Sequence, residues 1–319
     1  MSRYRIEPID VTGLKTVSIY DRGGKVQVSH FGRAPHPGEG ALSLLDSMPR
    51  LLAADSLRAV VEALIRARQN GREIVWGIGG HVIKCGLAPI LIRLMQRGWA
   101  TAFAMNGSGS IHDFEIAIAG YTSEDVEAVL PDGRFGSAAE TGREMNHAIS
   151  DGHRDGLGMG EALGRRLISI GKPEYLPESL LFSAYRATVP VTVHVAVGTD
   201  TPHTHPAAEG EAIGAASLRD FRLLSTIVAG MNDGGVYLNV GSAVVMPEVF
   251  LKAVSMVRNL GHPLANFTTV NFDFLQHYRP RVNVVERPHA NAGGRGYSLT
   301  GHHEIMIPLL AAILAECEG

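Results

Sequence analysis

The chain has 319 residues, 45% of them hydrophobic and 19% charged, which is enough apolar surface for one large core. Its net charge of −3, with no basic block, excludes a general grip on nucleic acid through counterion release. The two cysteines, Cys85 and Cys317, share no CxxC spacing and exclude a disulfide framework or a zinc knuckle.

No apolar run approaches the ~18 residues of a membrane span, and the first ten residues lack a signal h-region, so no membrane contact and a cytoplasmic location are expected. Residues 1–40 are polar, with Gly and Pro gathered near the end, and are expected to form an N-terminal arm with a short strand at 14–19. A single α/β domain is expected over 41–319. Asp55 is placed to cap a helix whose apolar stripe is Leu57, Val60, Val61, Leu64 and Ile65, closed by Asn70-Gly71.

Residues 73–78 form the short apolar run of a strand buried on both faces. Gly79-Gly80-His81 breaks it, and a helix is expected over 82–97 from Ile83, Leu87, Ile90, Leu91, Leu94 and Met95, ended by Gly98. A second strand at 100–105 runs into Asn106-Gly107-Ser108-Gly109-Ser110. Ser110 with Asp113 has capping-box spacing before the apolar run 116–119.

Residues 131–171 are helical in tendency but interrupted by Gly152, Gly156, Gly158 and Gly160, and are expected to be a Gly-rich, mobile insert. Beyond it, 179–187 reads as a helix and 189–197 (VPVTVHVAV) as the most strand-like run. Helix 218–229, strand 235–240, helix 248–260 with Pro247 at its first position, and strand 266–272 follow. Residues 277–301 read as irregular, and the last helix as 305–315. The alternation implies a Rossmann-like parallel sheet with helices on both faces.

Two successive Gly-rich strand-to-helix turns place backbone N–H groups and two helix N-termini at the carboxyl edge of one sheet. Nucleotides and other anions bind there in open α/β folds. Gly79, Gly80, His81, Asn106, Gly107 and Gly109 are therefore candidates for holding a cofactor, with His112 and Asp113 just beyond and Asp200 after the strongest strand. Tight-turn sterics alone would demand the same glycines, and their order is not GxGxxG. His203 and His205 follow Asp200 and suit proton transfer; they could also ligate a divalent ion, but two histidines do not make a site and no metal is assigned. His302 and Glu304 open the last helix as an acid–base group with an orienting carboxylate, or as an exposed start whose Glu complements the helix dipole.

The order of these stretches carries a resemblance. Gly79-Gly80-His81 stands where one family has Thr-Ser-Asn, and Asn106 to Asp113 where it has Thr-Thr-Ala-Gly-Gly-Val-Glu-Glu-Asp. The likeness continues in Glu178-Ser179, Tyr185, Val189-Pro190-Val191, Thr199-Asp200, Asp220-Phe221-Arg222-Leu223-Leu224, Val257-Arg258-Asn259, Phe272-Asp273 and Pro308-Leu309-Leu310. Over residues 40–315 the chain thus resembles deoxyhypusine synthase. The resemblance implies a Rossmann-like domain that binds NAD, a homotetramer with shared sites, and a place for His302 where the family has an Asp near the cofactor.

The departures matter. A Gly-Gly-Gly-Val-Val-Lys-His-His stretch with a catalytic His is replaced by residues 241–248, and no lysine follows Lys252. Where the family's nucleophilic lysine belongs, the segment offers Arg279, Arg281, Arg287 and Arg295. A guanidinium stays protonated and forms no imine, but it suits an anionic partner.

The sequence therefore points to a divergent deoxyhypusine synthase-like transferase or oxidoreductase. It would bind NAD and act on a small polar, anionic substrate without a lysine–imine step. A non-catalytic nucleotide- or metabolite-binding protein, or a His-dependent metal hydrolase, are the alternatives. With spermidine, NAD and a lysine-bearing acceptor, the protein is expected to yield neither 1,3-diaminopropane nor a modified acceptor. A borohydride-trapped adduct on Lys84 or Lys252 would overturn this.

Overall fold

The computed structural model describes residues 3–317 and builds them around six parallel strands. The strands are β1 (Ile74–Ile78), β2 (Ala102–Asn106), β3 (Val191–His194), β4 (Val236–Val240), β5 (Thr268–Asp273) and β6 (Arg295–Thr300), in the order β3-β2-β1-β4-β5-β6. The order reverses between β1 and β4, so their carboxyl ends form the topological switch point at which such sheets bind ligands. Every residue of β1 and β4 is buried, which is why β1 reads as an unbroken apolar run and β4 as one interrupted only by Asn239.

The helices are α1 (Ala41–Ser47), α2 (Leu52–Gln69), α3 (Gly80–Lys84), α4 (Ala88–Gln96), α5 (Gly107–Ala119), α6 (Val126–Val129), α7 (Ala139–Arg154) and α8 (Met159–Ile170). After them come α9 (Leu180–Arg186), α10 (Gly210–Ala229), α11 (Val245–Asn259), the single turn α12 (Tyr278–Pro280) and α13 (His303–Glu316). Because side chains alternate along a strand, the sheet feeds two cores. Trp76, Ile78, Phe103 and Leu238 pack with Leu64 of α2, Leu91 of α4, Phe114 of α5 and Leu310 of α13. Val75, Ala104 and Tyr237 pack with Leu224 of α10 and Phe250 of α11. The Rossmann-like expectation holds: helices cover both faces. Among the described residues no helix is long and apolar enough to cross a membrane.

Several local expectations need correction. Asp55 caps no helix but lies inside α2, which starts at Leu52, and pairs with Arg58; α10 starts at Gly210, eight residues before the expected 218. No strand forms at 14–19, where Leu14, Val17 and Ile19 are exposed and no partner strand is near; residues 1 and 2 of the expected arm lie outside the described residues. The expected helix over 82–97 is two helices, because Gly86 adopts a left-handed φ of +74° and Pro89 starts α4 afresh. Pro247 lies at the third position of α11 rather than the first, still inside the turn whose N–H groups have no helical partner. Finally, residues 277–301 are not all irregular: β6 pairs with β5 along its whole length. Its exposed, polar residues are those of an edge strand with one free side, which hides the strand pattern.

Gly152, Gly158 and Gly160 answer to close packing, whereas Gly156 has open space around it and takes a left-handed φ of +71°. A Cβ on Gly152 would lie 2.4 Å from that of Ala162, and one on Gly160 would lie 1.9 Å from the Val191 carbonyl oxygen. The same junction holds Asp220 of α10, whose Oδ2 accepts from Gly160 N at 3.0 Å and Val193 N at 2.8 Å. Its Oδ1 is buried without a partner, and burial pushes the carboxyl up to about 7. The fold thus prefers the protonated acid; what Asp220 contributes is fully present below about pH 4 and lost as pH rises through about 7. Asp220→Asn mimics that acid, so its melting temperature relative to wild type is expected to climb across this window. A gap that stays constant with pH would contradict the assignment.

Candidate functional site

The site begins where strands end. Gly79 N donates to the Val240 carbonyl at 2.9 Å, so the turns after β1 and β4 are stitched together. A Cβ on Gly79 would lie 2.0 Å from the Gly241 carbonyl oxygen, one on Gly80 2.2 Å from Ser108 Oγ, and one on Gly107 2.1 Å from Asp200 Oδ2. The two Gly-rich turns therefore lie side by side, with the Asp200 loop against the second. These glycines are required by neighbouring protein groups, and because Gly79 N and Gly109 N are already donated to Val240 and Asn106, any hold on a ligand falls to the remaining turn amides. Asn106 caps α5, its Oδ1 accepting from Gly109 N at 3.0 Å. The helix thus starts earlier than the Ser110–Asp113 capping box implied, and Ser110 Oγ turns inward to the Gly107 carbonyl at 2.8 Å.

Beside this edge opens a cleft of about 860 Å³, within the ~300–1,000 Å³ of small-molecule sites. Lys84, Ser108, His112, Glu115, Arg143 and Asp200 line it. Thr122 Oγ1 donates to Glu115 and therefore accepts from His112 Nδ1, 2.7 Å away. Thr141 donates to the other Glu115 oxygen at 3.1 Å. Burial, assisted by Lys84, pushes His112 down to about 4, so the ring is neutral at neutral pH with Nε2 as its acceptor. Burial also raises the Asp200 carboxyl, an effect that His203 opposes.

A second cluster lies across α3. Cys85 Sγ is 3.2 Å from His81 Nε2 and 3.8 Å from Glu304 Oε2. The His302–His303 pair divides: His302 is exposed, its Nδ1 3.9 Å from Glu304 Oε1 and its ring stacked on Phe274, whereas His303 is 1% exposed. His303 Nε2 lies 3.2 Å from the Phe272 carbonyl, while its Nδ1 is buried without a partner. The His81 and His303 rings meet edge to face at 5.5 Å.

Other candidates are not gathered here. Both oxygens of Asp113 are engaged inside the fold, accepting from Ser179 Oγ at 2.6 Å, Leu180 N at 2.7 Å and Leu181 N at 2.9 Å. This carboxylate secures the start of α9. His203 and His205 brace their own loop, their Nδ1 atoms accepting from Gly198 N at 3.2 Å and Ala207 N at 3.1 Å, and the His205 ring packs on Gly142. Neither lines the cleft. Of the four arginines read as anion-binding, Arg279 pairs with Glu248 and Arg281 with Glu286, Arg287 donates to Asn283, and Arg295 lies over Tyr297. None of them lines the cleft either. Lys84, Cys85, Glu115 and His303 escaped sequence reasoning. Only Cys85 had a signal, four residues after His81 on one helix.

No protein-family model matches the chain, and no curated protein is similar to it in sequence. Among solved structures, AgrE in ternary complex with ornithine and NAD+ is 16% identical, with a TM-score of 0.54 over 82% of this chain and 33% of its own. A conserved LOR/SDH protein from Methanococcus maripaludis S2 is 14% identical, with a TM-score of 0.52 over 89% of this chain and 74% of its own. A protein assigned as deoxyhypusine synthase from Entamoeba histolytica is 10% identical, with a TM-score of 0.49 over 86% of this chain and 93% of its own. The first two likenesses establish an α/β fold of this kind and nothing finer. This chain spans only a third of AgrE.

Asp113→Ala leaves three buried donors unsatisfied and is expected to destabilise the protein by roughly 3 kcal/mol or more, at about 1–3 kcal/mol per buried donor. Denaturant unfolding measures this. A variant as stable as wild type would show that Asp113 is free for another role.

Proposed function

We propose that the chain is an enzyme that binds NAD along the carboxyl edge of its sheet and acts on a small polar substrate in the adjoining cleft. The observation that carries this reading is the side-by-side placement of the Gly79–Gly80 and Asn106–Gly109 turns next to a cleft lined by ionisable groups. The turn amides and the N-terminus of α5 favour the pyrophosphate, Lys84 complements its charge, and Asp200 is placed to accept from a hydroxyl. AgrE in complex with ornithine and NAD+ supports the cofactor, since its fold is similar.

NAD would supply a hydride acceptor. The chain itself would supply His112 as proton acceptor at Nε2, its ring held by Thr122 and Glu115. This role passes to His112 from His203 and His205. Glu304 and His302 stay candidates on the far side of α3, and Gly79, Gly80, His81, Asn106, Gly107 and Gly109 remain the cofactor-facing turns. Exposed apolar side chains of the arm, including Ile6, Ile9, Val11 and Val17, support burial against other copies in a homotetramer.

Calorimetry tests the reading. NAD or NADP is expected to bind once per chain. Lys84→Glu, an exposed substitution that spares the fold, is expected to weaken it about tenfold or more, the worth of a charge-assisted contact. No binding of either nucleotide to wild type would overturn the proposal.

A further inference from the structure

We propose that His81, Cys85 and Glu304 form a site for one divalent metal ion of the zinc class, with a fourth position open to water or substrate. This goes beyond the dinucleotide reading and does not depend on it. The three ligand atoms, one per residue, lie within 4.8 Å of one another, a grouping that no other described His, Cys, Asp or Glu residues achieve. Zinc binds thiolate at ~2.3 Å and imidazole or carboxylate at ~2.0–2.2 Å in a tetrahedron, so neighbouring ligand atoms sit roughly 3.3–3.8 Å apart. The contacts of 3.2 Å from His81 Nε2 to Cys85 Sγ and 3.8 Å from Sγ to Glu304 Oε2 fit this spacing after small side-chain adjustments.

The backbone explains the placement. His81 lies in α3 and Cys85 at its C-cap, one helical turn on and so on the same face. Glu304 comes from the first turn of α13, 219 residues beyond Cys85. Three ligands of mixed softness with an open position describe a catalytic rather than a structural zinc site. His81 and Glu304 are exposed and Cys85 is partly exposed, so an ion and a fourth ligand can reach them. His302, 3.9 Å from the other Glu304 oxygen, is placed to orient that carboxylate from outside. His303, one ring away from His81, has a buried Nδ1 without a partner, marking this as polar interior built beside the cluster.

A nucleophilic Cys–His–acid triad is the competing use of the same residues, but its order is wrong here. In such a triad the acid holds the far nitrogen of the histidine. Glu304 instead contacts the sulfur, where its charge opposes a thiolate unless a cation stands between them. The site lies beside the switch point between β1 and β4. A metal held there would act as a Lewis acid on a carbonyl or hydroxyl oxygen of a substrate bound at the carboxyl edge.

Cobalt(II) titration of the purified, reduced full-length protein tests the proposal. One equivalent is expected to bind with a thiolate-to-cobalt charge-transfer band and to be displaced by zinc. The band is expected to vanish in Cys85→Ser and persist in Cys317→Ser. His81→Ala and Glu304→Gln should each weaken binding tenfold or more, and His203→Ala should leave it unchanged. Melting curves matching wild type would show that the variants fold, as expected at such exposed positions. Absence of the band in wild type, its survival in Cys85→Ser, or its loss in Cys317→Ser would overturn the site.

Discussion

The close approach of strand-end turns at the switch point is the constraint on which the rest depends. Gly79 admits the Gly241 carbonyl, Gly80 admits Ser108, and Gly107 admits the Asp200 carboxylate. A side chain at any of them would force apart loops that belong to β1, β2, β3 and β4. Backbone contact at Gly79 is the least forgiving, because a carbonyl cannot rotate away as a serine hydroxyl can. The seated loops put Lys84 and His112 into one cleft and His81 next to His303. Both candidate sites thus inherit their geometry from three missing methyl groups.

Polar groups divide into buried struts and cleft-facing groups. Asp113 and Asp220 each accept from backbone amides of another element, the first fastening α9 and the second α8 and β3. Such carboxylates replace hydrogen bonds that no neighbouring strand or helix could supply. His112, Glu115, Lys84 and Asp200 instead face open volume. An acidic residue in a turn motif therefore says little about ligand binding until its partners are known.

The parts of the fold legible in the sequence were those with a repeating pattern. Strands buried on both faces gave unbroken apolar runs, and the stripe of Leu57, Val60, Val61 and Leu64 gave α2. The edge strand β6 was illegible because one flank faces solvent and its residues need not be apolar. The split between α3 and α4 turns on Gly86 and Pro89. At the site, the turns were visible because glycine marks them. Of the cleft groups, His112 and Asp200 were visible beside the turns, whereas Lys84 and Glu115 join them only through the fold, and Cys85 meets Glu304 only because α13 returns to α3. His302 stood out beside Glu304, yet helix phase turns its neighbour His303 inward.

The paired turns are proposed as a nucleotide-binding edge. Amide hydrogen exchange measured with and without NAD tests this role residue by residue. Slowed exchange is expected at 79–82 and 106–110 and in the loop around Asp200, with the strands themselves unchanged. Unaltered exchange at both turns in the presence of saturating NAD, or protection confined to a surface away from the carboxyl edge, would contradict it.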